Sequence, residues 1–326
     1  MLAVRLSSQN DNIYNLSQNI SPRKSTGGFL KLKSYSKVNL YLDVIGKRED
    51  GYHNLISVMQ AIDLCDELEL SLQRESNINY TNFENINLCV LGDYTDLNTS
   101  SNLVVKALKT LMANASVKKE LFVKLKKNIP VGGGLGGGSG NAAAALYGAC
   151  KLLDLKYNIE DLACMGINLG SDVPFFLYGG TALVEGKGEK ISSLKNISYC
   201  KILIANPGIF VSTREIFGVL DLSNKSSKLD IQNILQGIEK NCLHKTAISM
   251  YNVFTNYTAE KYPLIFNLIS LLKKMGAVNA DMTGTGSTVY ALFDDETKAG
   301  EAYDELKKII KSVYLTNPIP KECMYV

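Results

Sequence analysis

The chain has 326 residues, 35 basic and 32 acidic side chains, a net charge of +3 and 46% hydrophobic residues, which is an ordinary globular composition with enough length for two domains or one large one. No apolar run reaches the ~20 residues needed to span a bilayer, so no membrane partner is expected. Seven cysteines without a C-x-x-C pair, beside only two histidines, are too few soft ligands for a zinc or iron site and point to a reducing compartment; most sit in apolar contexts typical of buried thiols.

Residues 1–33 are rich in Ser and Asn and carry Arg5, Arg23, Lys24, Lys31 and Lys33 against Asp11 alone. That excess of four leaves the remainder at −1, from +3 minus +4. The basic balance is local to this segment, and nothing in it argues for a nucleic-acid surface on the body. An acid-poor, Ser-bearing segment suits an organelle transit peptide or a loosely attached extension. From 29 to 44 the chain alternates, with Tyr35, Lys37, Asn39, Tyr41 and Asp43 on one face and Val38, Leu40 and Leu42 on the other, which predicts a half-buried strand. Lys37 and Asn39 then point the same way, toward a common site or simply toward solvent. A charged turn over 46–51 leads into a second strand, 53–62. Residues 67–72 and 86–91 read as strands with a polar loop between them, and 101–115 as a helix with Leu103, Val104, Ala107, Leu108 and Leu111 at helical spacing.

The densest feature is Ile129-Pro130-Val131-Gly132-Gly133-Gly134-Leu135-Gly136-Gly137-Gly138-Ser139-Gly140-Asn141, followed by four alanines. So many glycines cost too much conformational entropy for a passive turn, and suit backbone that takes positive φ or lies against a ligand. Residues 141–153 have the propensity and spacing of a buried helix. The loop therefore ends at a helix N-terminus, where unpaired N–H groups and the dipole attract anions. A flexible linker would join polar segments, whereas a β-rich stretch runs in here and a strong helix runs out. Gly132-x-Gly134-x-x-Gly137 fits the dinucleotide pattern formally. However, 121–127 alternates and exposes lysines where a parallel central strand is continuously apolar, and no strand ending in an acid follows some twenty residues on. No Gly-Lys-Ser/Thr follows either, which removes a Walker A loop. A phosphate cradle of another kind remains.

Beyond it, 159–169 predicts a short helix closed by Gly170, and Asp172 before Val173-Pro174 reads locally as a helix N-cap. Residues 181–184 and 201–205 are strands around the charged turn 185–190, with a domain boundary near 190. Ser212-Thr213-Arg214-Glu215 is a capping-box-like helix start. Residues 229–275 read as helical, 277–283 and 288–293 as strands around Gly284-Thr285-Gly286-Ser287, with a helix after them.

Pro130-x-x-x-Gly134-Leu135-Gly136-Gly137-Gly138-Ser139 resembles the glycine-rich ATP motif of the GHMP kinase superfamily, small-molecule kinases that lack a Walker A loop. Ser36-Lys37-Val38-Asn39-Leu40, Gly46-Lys47-Arg48-x-Asp50-Gly51-Tyr52-His53, Leu169-Gly170-Ser171-Asp172-Val173-Pro174-Phe175-Phe176 and Met282-Thr283-Gly284-Thr285-Gly286-Ser287 are similar, in the same order, to segments of the 4-diphosphocytidyl-2-C-methyl-D-erythritol kinase family. The resemblance implies a two-domain α+β fold: after the extension 1–33, a mixed-sheet α/β ATP-binding domain over 34–190, then a ferredoxin-like α+β domain over 191–326. It implies an ATP-dependent kinase, with Mg²⁺ carried on ATP, that phosphorylates the 2-hydroxyl of 4-diphosphocytidyl-2-C-methyl-D-erythritol in the non-mevalonate isoprenoid route. Such an enzyme would be a cytoplasmic monomer or homodimer whose partner is its small-molecule substrate, or would lie in the plastid stroma if residues 1–33 were a transit peptide.

The family's positions carry over as follows. Lys37 and Asp172 fall at the catalytic pair, Asp172 accepting the proton of the substrate hydroxyl and Lys37 countering phosphate charge. ATP would meet Pro130, Val131, Gly132, Gly133, Gly134, Leu135, Gly136, Gly137, Gly138, Ser139 and Gly140, with Asn102 in the adenine-pocket segment. Asn39, Tyr52, His53, Thr213 and Phe217 would meet the substrate, Tyr52 and Phe217 sandwiching the cytosine ring and His53 bonding its edge. One departure is Gly140, where the family usually has a second hydroxyl residue after Ser139. The alternatives are a GHMP kinase for another alcohol, such as mevalonate or homoserine, and a non-catalytic nucleotide sensor on the same fold. Tyr52-His53 disfavours the first, and retention of both Lys37 and Asp172 disfavours the second.

Overall fold

The structure is a computed structural model that describes residues 28–49, 51, 53–220 and 230–325. The chain runs β1 (Phe29–Lys47), β2 (His53–Ser71), β3 (Thr81–Phe83), β4 (Ile86–Leu91), α1 (Leu103–Asn114), β5 (Leu121–Lys126), α2 (Gly137–Leu152), α3 (Ile159–Gly166), α4 (Val173–Tyr178), β6 (Thr181–Gly186) and β7 (Lys190–Ser193). It continues through β8 (Lys201–Asn206), α5 (Thr213–Val219), α6 (Ile231–Glu239), α7 (Leu243–Ile248), β9 (Tyr251–Asn252), α8 (Thr255–Lys261), α9 (Pro263–Lys274), β10 (Asn279–Met282), β11 (Val289–Phe293), α10 (Glu296–Lys307) and β12 (Ser312–Thr316).

The first sheet has the order β3-β4-β5-β2-β1-β9, with β6 and β7 continuing from β2. It is mixed, because β4 with β5 and β1 with β9 run parallel while β1 with β2 is antiparallel. The strands expected at 53–62 and 67–72 are one 19-residue strand, β2. Its first half pairs with β6 through Leu55–Gln60 and its last residues with β5 through Glu67–Ser71, so the sheet forks there. The β5 lysines do reach solvent: Lys124 pairs with Glu69 at 2.6 Å and Lys126 with Glu67 at 2.9 Å. β5 can run parallel to β4 and still alternate because only its other face is covered by helices. Residues 29–33, expected in the basic extension, belong to β1; Leu32 lies in the core and Lys31 bridges Glu67 and Glu69.

The second sheet has the order β10-β11-β8-β12, all antiparallel. Numbered in chain order these strands stand 2-3-1-4, which with α9 and α10 is the ferredoxin-like arrangement expected. The boundary placed near 190 falls at β7, which still pairs in the first sheet, and the second sheet starts at Lys201. Within 229–275 the helical stretch is interrupted by β9, which pairs with Tyr41 and Leu42 of β1. A two-residue strand has no periodicity to read.

β1 differs from its sequence reading in a way that shapes the site. Residues 34–44 are buried on both faces, because helices and a loop cover one side and the second sheet covers the other. A register shift between Asn39 and Tyr41 leaves Leu40 as a bulge. Tyr41 therefore joins Val38 and Leu40 in a core shared with Ile202, Ile204, Tyr290 and Leu292 of the second sheet. Leu42 crosses to the side of Lys37 and Asn39. The cysteines divide: Cys89, Cys150 and Cys200 are buried, Cys65 is half-buried, and Cys164, Cys242 and Cys323 are exposed, all as free thiols. Burial pushes the Cys200 thiol up to about 12. Among the described residues no helix is long and apolar enough to cross a membrane.

Candidate active site

The glycine loop leaves β5 and enters α2 between two anchors. At its start the fully buried Asp66 carboxylate of β2 accepts the N–H groups of Asn128 and Ile129 at 2.7 and 2.9 Å and pairs with Lys127. At its end the Lys37 N–H donates to the Leu135 carbonyl at 3.0 Å. α2 starts at Gly137, four residues earlier than expected, and its ladder begins with Gly140 N–H donating to Gly136 O at 2.9 Å. The N–H groups of Gly137, Gly138 and Ser139 stand ahead of that ladder, the anion-binding end of a helix.

Beside the positive φ and ligand approach expected from the sequence, crowding by protein explains part of the glycine density. Gly134 has φ +79°, and a Cβ there would lie 2.3 Å from the Thr283 carbonyl. At Gly136, φ +72°, it would lie 2.8 Å from the Phe176 ring. Gly140, taken with the ATP loop, sits in α2 where a Cβ would meet the Tyr35 carbonyl at 2.6 Å, and it does not line the cleft. A side chain at 140 would thus be directed at the β1 backbone instead of a phosphate.

The loop forms one wall of a cleft of about 540 Å³ that gathers Lys37, Asn39, Asn102, Asp172, Thr213 and Phe217, together with Pro130 to Ser139. Lys37 is 3% exposed; its Nζ donates to Asn39 Oδ1 at 2.6 Å and stands 3.6 Å from Asp172 Oδ2. Asp172 occupies the N-cap position of α4, as its local sequence suggests, but its side chain makes no capping bond, which leaves the carboxylate facing Lys37. Asn39, expected at the substrate, spends its groups on the protein. Its Oδ1 also accepts from Gly284 N–H at 3.0 Å and lies 3.1 Å from the Thr283 hydroxyl, and its Nδ2 donates to Ser57 at 2.9 Å. It positions Lys37 and ties β1 to the second glycine loop, 283–287. Asn102 both caps α1, accepting from Val104 N–H at 2.9 Å, and lines the wall beside Leu103.

At the other end of the cleft Phe217 packs between His53, at a ring separation of 4.9 Å, and Phe254, at 4.8 Å. Burial, followed by the Lys47 ammonium, holds the His53 imidazole below its ordinary value, and a neutral imidazole offers one donor and one acceptor. The Thr213 hydroxyl lies 3.1 Å from that of Thr285. Tyr52 lies outside the described residues. Three participants carried no usable sequence signal. Asn252 of β9 donates to Met282 O at 2.7 Å and Gly284 O at 2.8 Å, holding the second glycine loop; Lys127, in a stretch read as exposing its lysines, and Phe254 line the cleft. Among the described residues no group of three His, Cys, Asp or Glu converges to hold a metal.

Comparison with known proteins agrees with this architecture. The family models described as GHMP kinases N terminal domain and GHMP kinases C terminal match residues 102–180 and 230–311. The 4-diphosphocytidyl-2-C-methyl-D-erythritol kinase of Clostridium beijerinckii is 39% identical over 290 residues, covering 89% of this chain and all of that one. The protein of the same name from Caldicellulosiruptor bescii is 38% identical over 288 residues, covering 88% and 97%. Among solved structures, a 4-(cytidine 5'-diphospho)-2C-methyl-D-erythritol kinase superposes with a TM-score of 0.72 at 24% identity, covering 89% of this chain and 99% of that one. A homoserine kinase from Cytophaga hutchinsonii does so with 0.70 at 18%, covering 90% and 96%, so the fold is shared across the superfamily. The identity with the curated relatives, sustained over nearly the whole of both chains, is what narrows it: the chain belongs to the 4-diphosphocytidyl-2-C-methyl-D-erythritol kinase family of the GHMP kinases.

Proposed function

We infer that the protein transfers the γ-phosphoryl group of ATP to the 2-hydroxyl of 4-diphosphocytidyl-2-C-methyl-D-erythritol, a step in making isoprenoid precursors without mevalonate. The observation that carries this reading is the buried Lys37 ammonium 3.6 Å from an Asp172 carboxylate that makes no capping bond, beside a helix N-terminus able to cradle phosphates. Phosphoryl transfer is mostly positioning and electrostatics. The N–H groups at the start of α2 hold the phosphate oxygens, Asp172 accepts the proton of the attacking hydroxyl, and Lys37 offsets charge on the transferred group. Adenosine lies along Asn102 and Leu103, and the cytosine ring lies against Phe217 with Tyr52 and His53. Of the oxygen donors lining the cleft, Asp172 and the Ser139 hydroxyl would suit Mg²⁺, a small set that fits an ion coordinated chiefly by phosphate and water. When bound, that ion neutralises phosphate charge. The protein works in the cytoplasm, as a monomer or homodimer.

A coupled ADP-release assay with the cytidylylated substrate beside mevalonate, homoserine and galactose tests the reading. Turnover confined to the cytidylylated alcohol is expected. Comparable turnover of any other alcohol would overturn the substrate, and ATP-independent behaviour throughout would overturn the kinase.

A further inference from the structure

After β12 the chain does not end in the second sheet but crosses back to the first. Asn317 donates its N–H and its side-chain amide to the two oxygens of Asp63, at 2.9 and 2.7 Å, and accepts the Asp63 N–H at 3.1 Å. Pro318 bridges to Ile62, Ile319 N–H donates to Ala61 O at 2.9 Å, and Gln60 returns a bond to Ile319 O at 3.1 Å. One turn later Tyr325 is 4% exposed, its ring stacked on Tyr147 of α2 at 4.6 Å and 15°, and its phenol donating to the Phe176 carbonyl at 2.9 Å.

That carbonyl belongs to α4, the helix that starts at Asp172. α4 has six residues, far below the ~12–15 at which a helix sustains itself. Its ladder includes a long bond from Phe176 N–H to Asp172 O at 3.4 Å and one from Gly179 N–H to Phe175 O at 2.7 Å. The Phe176 carbonyl is among those a helix end leaves without an intrahelical partner, and the Tyr325 phenol fills that place. On its other side the Phe176 ring fills the space against Gly136, at the start of α2. The exit of α4 is shaped to the tail as well: a Cβ on Gly179 would lie 2.2 Å from the Met324 side chain. Burial pushes the Tyr325 phenol well up, so it remains a neutral donor at any assay pH.

We propose that the C-terminal segment 317–325 is a strap that orients α4, and that Tyr325 is a positioning residue acting on Asp172 through the Phe176 carbonyl. The proposal rests on the reading of Asp172 as the proton acceptor. A helix this short takes its direction from outside contacts, and a misplacement of about 1 Å at a reacting group is worth up to ~10²-fold in rate. The nucleotide and pyrimidine contacts lie on the loop before α2, on α1, on α5 and on β2, none of which bonds that carbonyl.

Tyr325→Phe keeps the ring, its stack and its volume, and removes one donor. We expect kcat to fall about three- to tenfold, the worth of one neutral hydrogen bond, with KM for both substrates within about twofold. The decisive measurement is the double mutant. In an Asp172→Asn background, Tyr325→Phe should leave the residual turnover unchanged, because the group it orients is no longer a base. Factors that multiply, a change confined to KM, or a wild-type kcat for Tyr325→Phe would overturn the strap alone. A near-normal Asp172→Asn enzyme would overturn the proton-acceptor reading and the strap with it.

Discussion

Replacing Lys37 by methionine separates catalysis from stability more cleanly than any other change in the cleft. The side chain is 4% exposed, so its ammonium is held at a desolvation cost that pairing must offset; removing one member of such a pair is costly when the other is left buried and uncompensated, and mild when water can take its place. Two local features favour that outcome. Asn39 Oδ1 keeps Gly284 N–H and the Thr283 hydroxyl, so no buried acceptor is stranded. The Asp172 side chain is 29% exposed, so water can replace the lost partner. Because Asp172 is left hydrated and not stranded, the net change should stay within about 1 kcal/mol, as for a solvent-screened pair, which for a chain this long moves Tm by less than about 4 °C. Turnover should nevertheless fall ~10²- to 10³-fold, the usual effect of removing one preorganised group aimed at developing charge. Melting curves and ADP release, measured on the same preparation, test both halves. If Tm drops by more than about 10 °C in step with activity, Lys37 is a structural ion-pair residue. If turnover is near normal, it does not face the transferred phosphoryl group.

Asp172→Asn should lower turnover ~10²- to 10⁴-fold, the range for a positioned general base, while an ATP-induced rise in Tm persists; loss of that rise would move Asp172 to the nucleotide site. Phe217→Ala removes a ring that contacts both His53 and Phe254, and should raise KM for the cytidylylated substrate about five- to 150-fold, as for loss of a base-stacking aromatic, with KM for ATP unchanged. Equal rises in both constants would mean that Phe217 supports the fold instead. Burial pushes the Asp281 carboxyl up to about 6, so the folded protein holds that proton more tightly than the unfolded chain. Its favourable contribution is complete below about pH 4 and is lost as pH rises through about 6, a change on the order of 3 kcal/mol. Asp281→Asn, which keeps an acceptor for Thr255, should flatten the decline of Tm over that range; an unchanged slope would refute it.

The parts legible in the sequence were those whose physics is local. The glycine run and the alanine helix announce a cradle at a helix N-terminus because conformational entropy and propensity act residue by residue. The alternation of β1 correctly sets Lys37 and Asn39 side by side, yet it misplaces Tyr41 and Leu42, because a bulge at Leu40 depends on pairing with β2 and not on β1 itself. Asp172 could not be assigned from its surroundings. N-cap and base call for the same residue before the same apolar turn, and in the folded chain Asp172 holds the N-cap position without making a capping bond.

The struts behind the site were invisible for a related reason: each joins residues far apart in sequence. Asn39 bonds the 283–287 loop across more than 240 residues, Asn252 fixes the same loop from a two-residue strand, and Gly134 meets the Thr283 carbonyl too closely to carry a side chain. These contacts converge on one interface, where the glycine loop of the first sheet lies against the glycine loop of the second. Lys37 is then positioned by a residue that also locks the two loops together, through Asn39 Oδ1. A chain in which the loops separated would lose the orientation of Lys37 and the placement of the first glycine loop at once. Asn39 therefore ties Lys37, β1 and the second glycine loop into one arrangement, through its Oδ1 to Lys37 and Gly284 and its Nδ2 to Ser57.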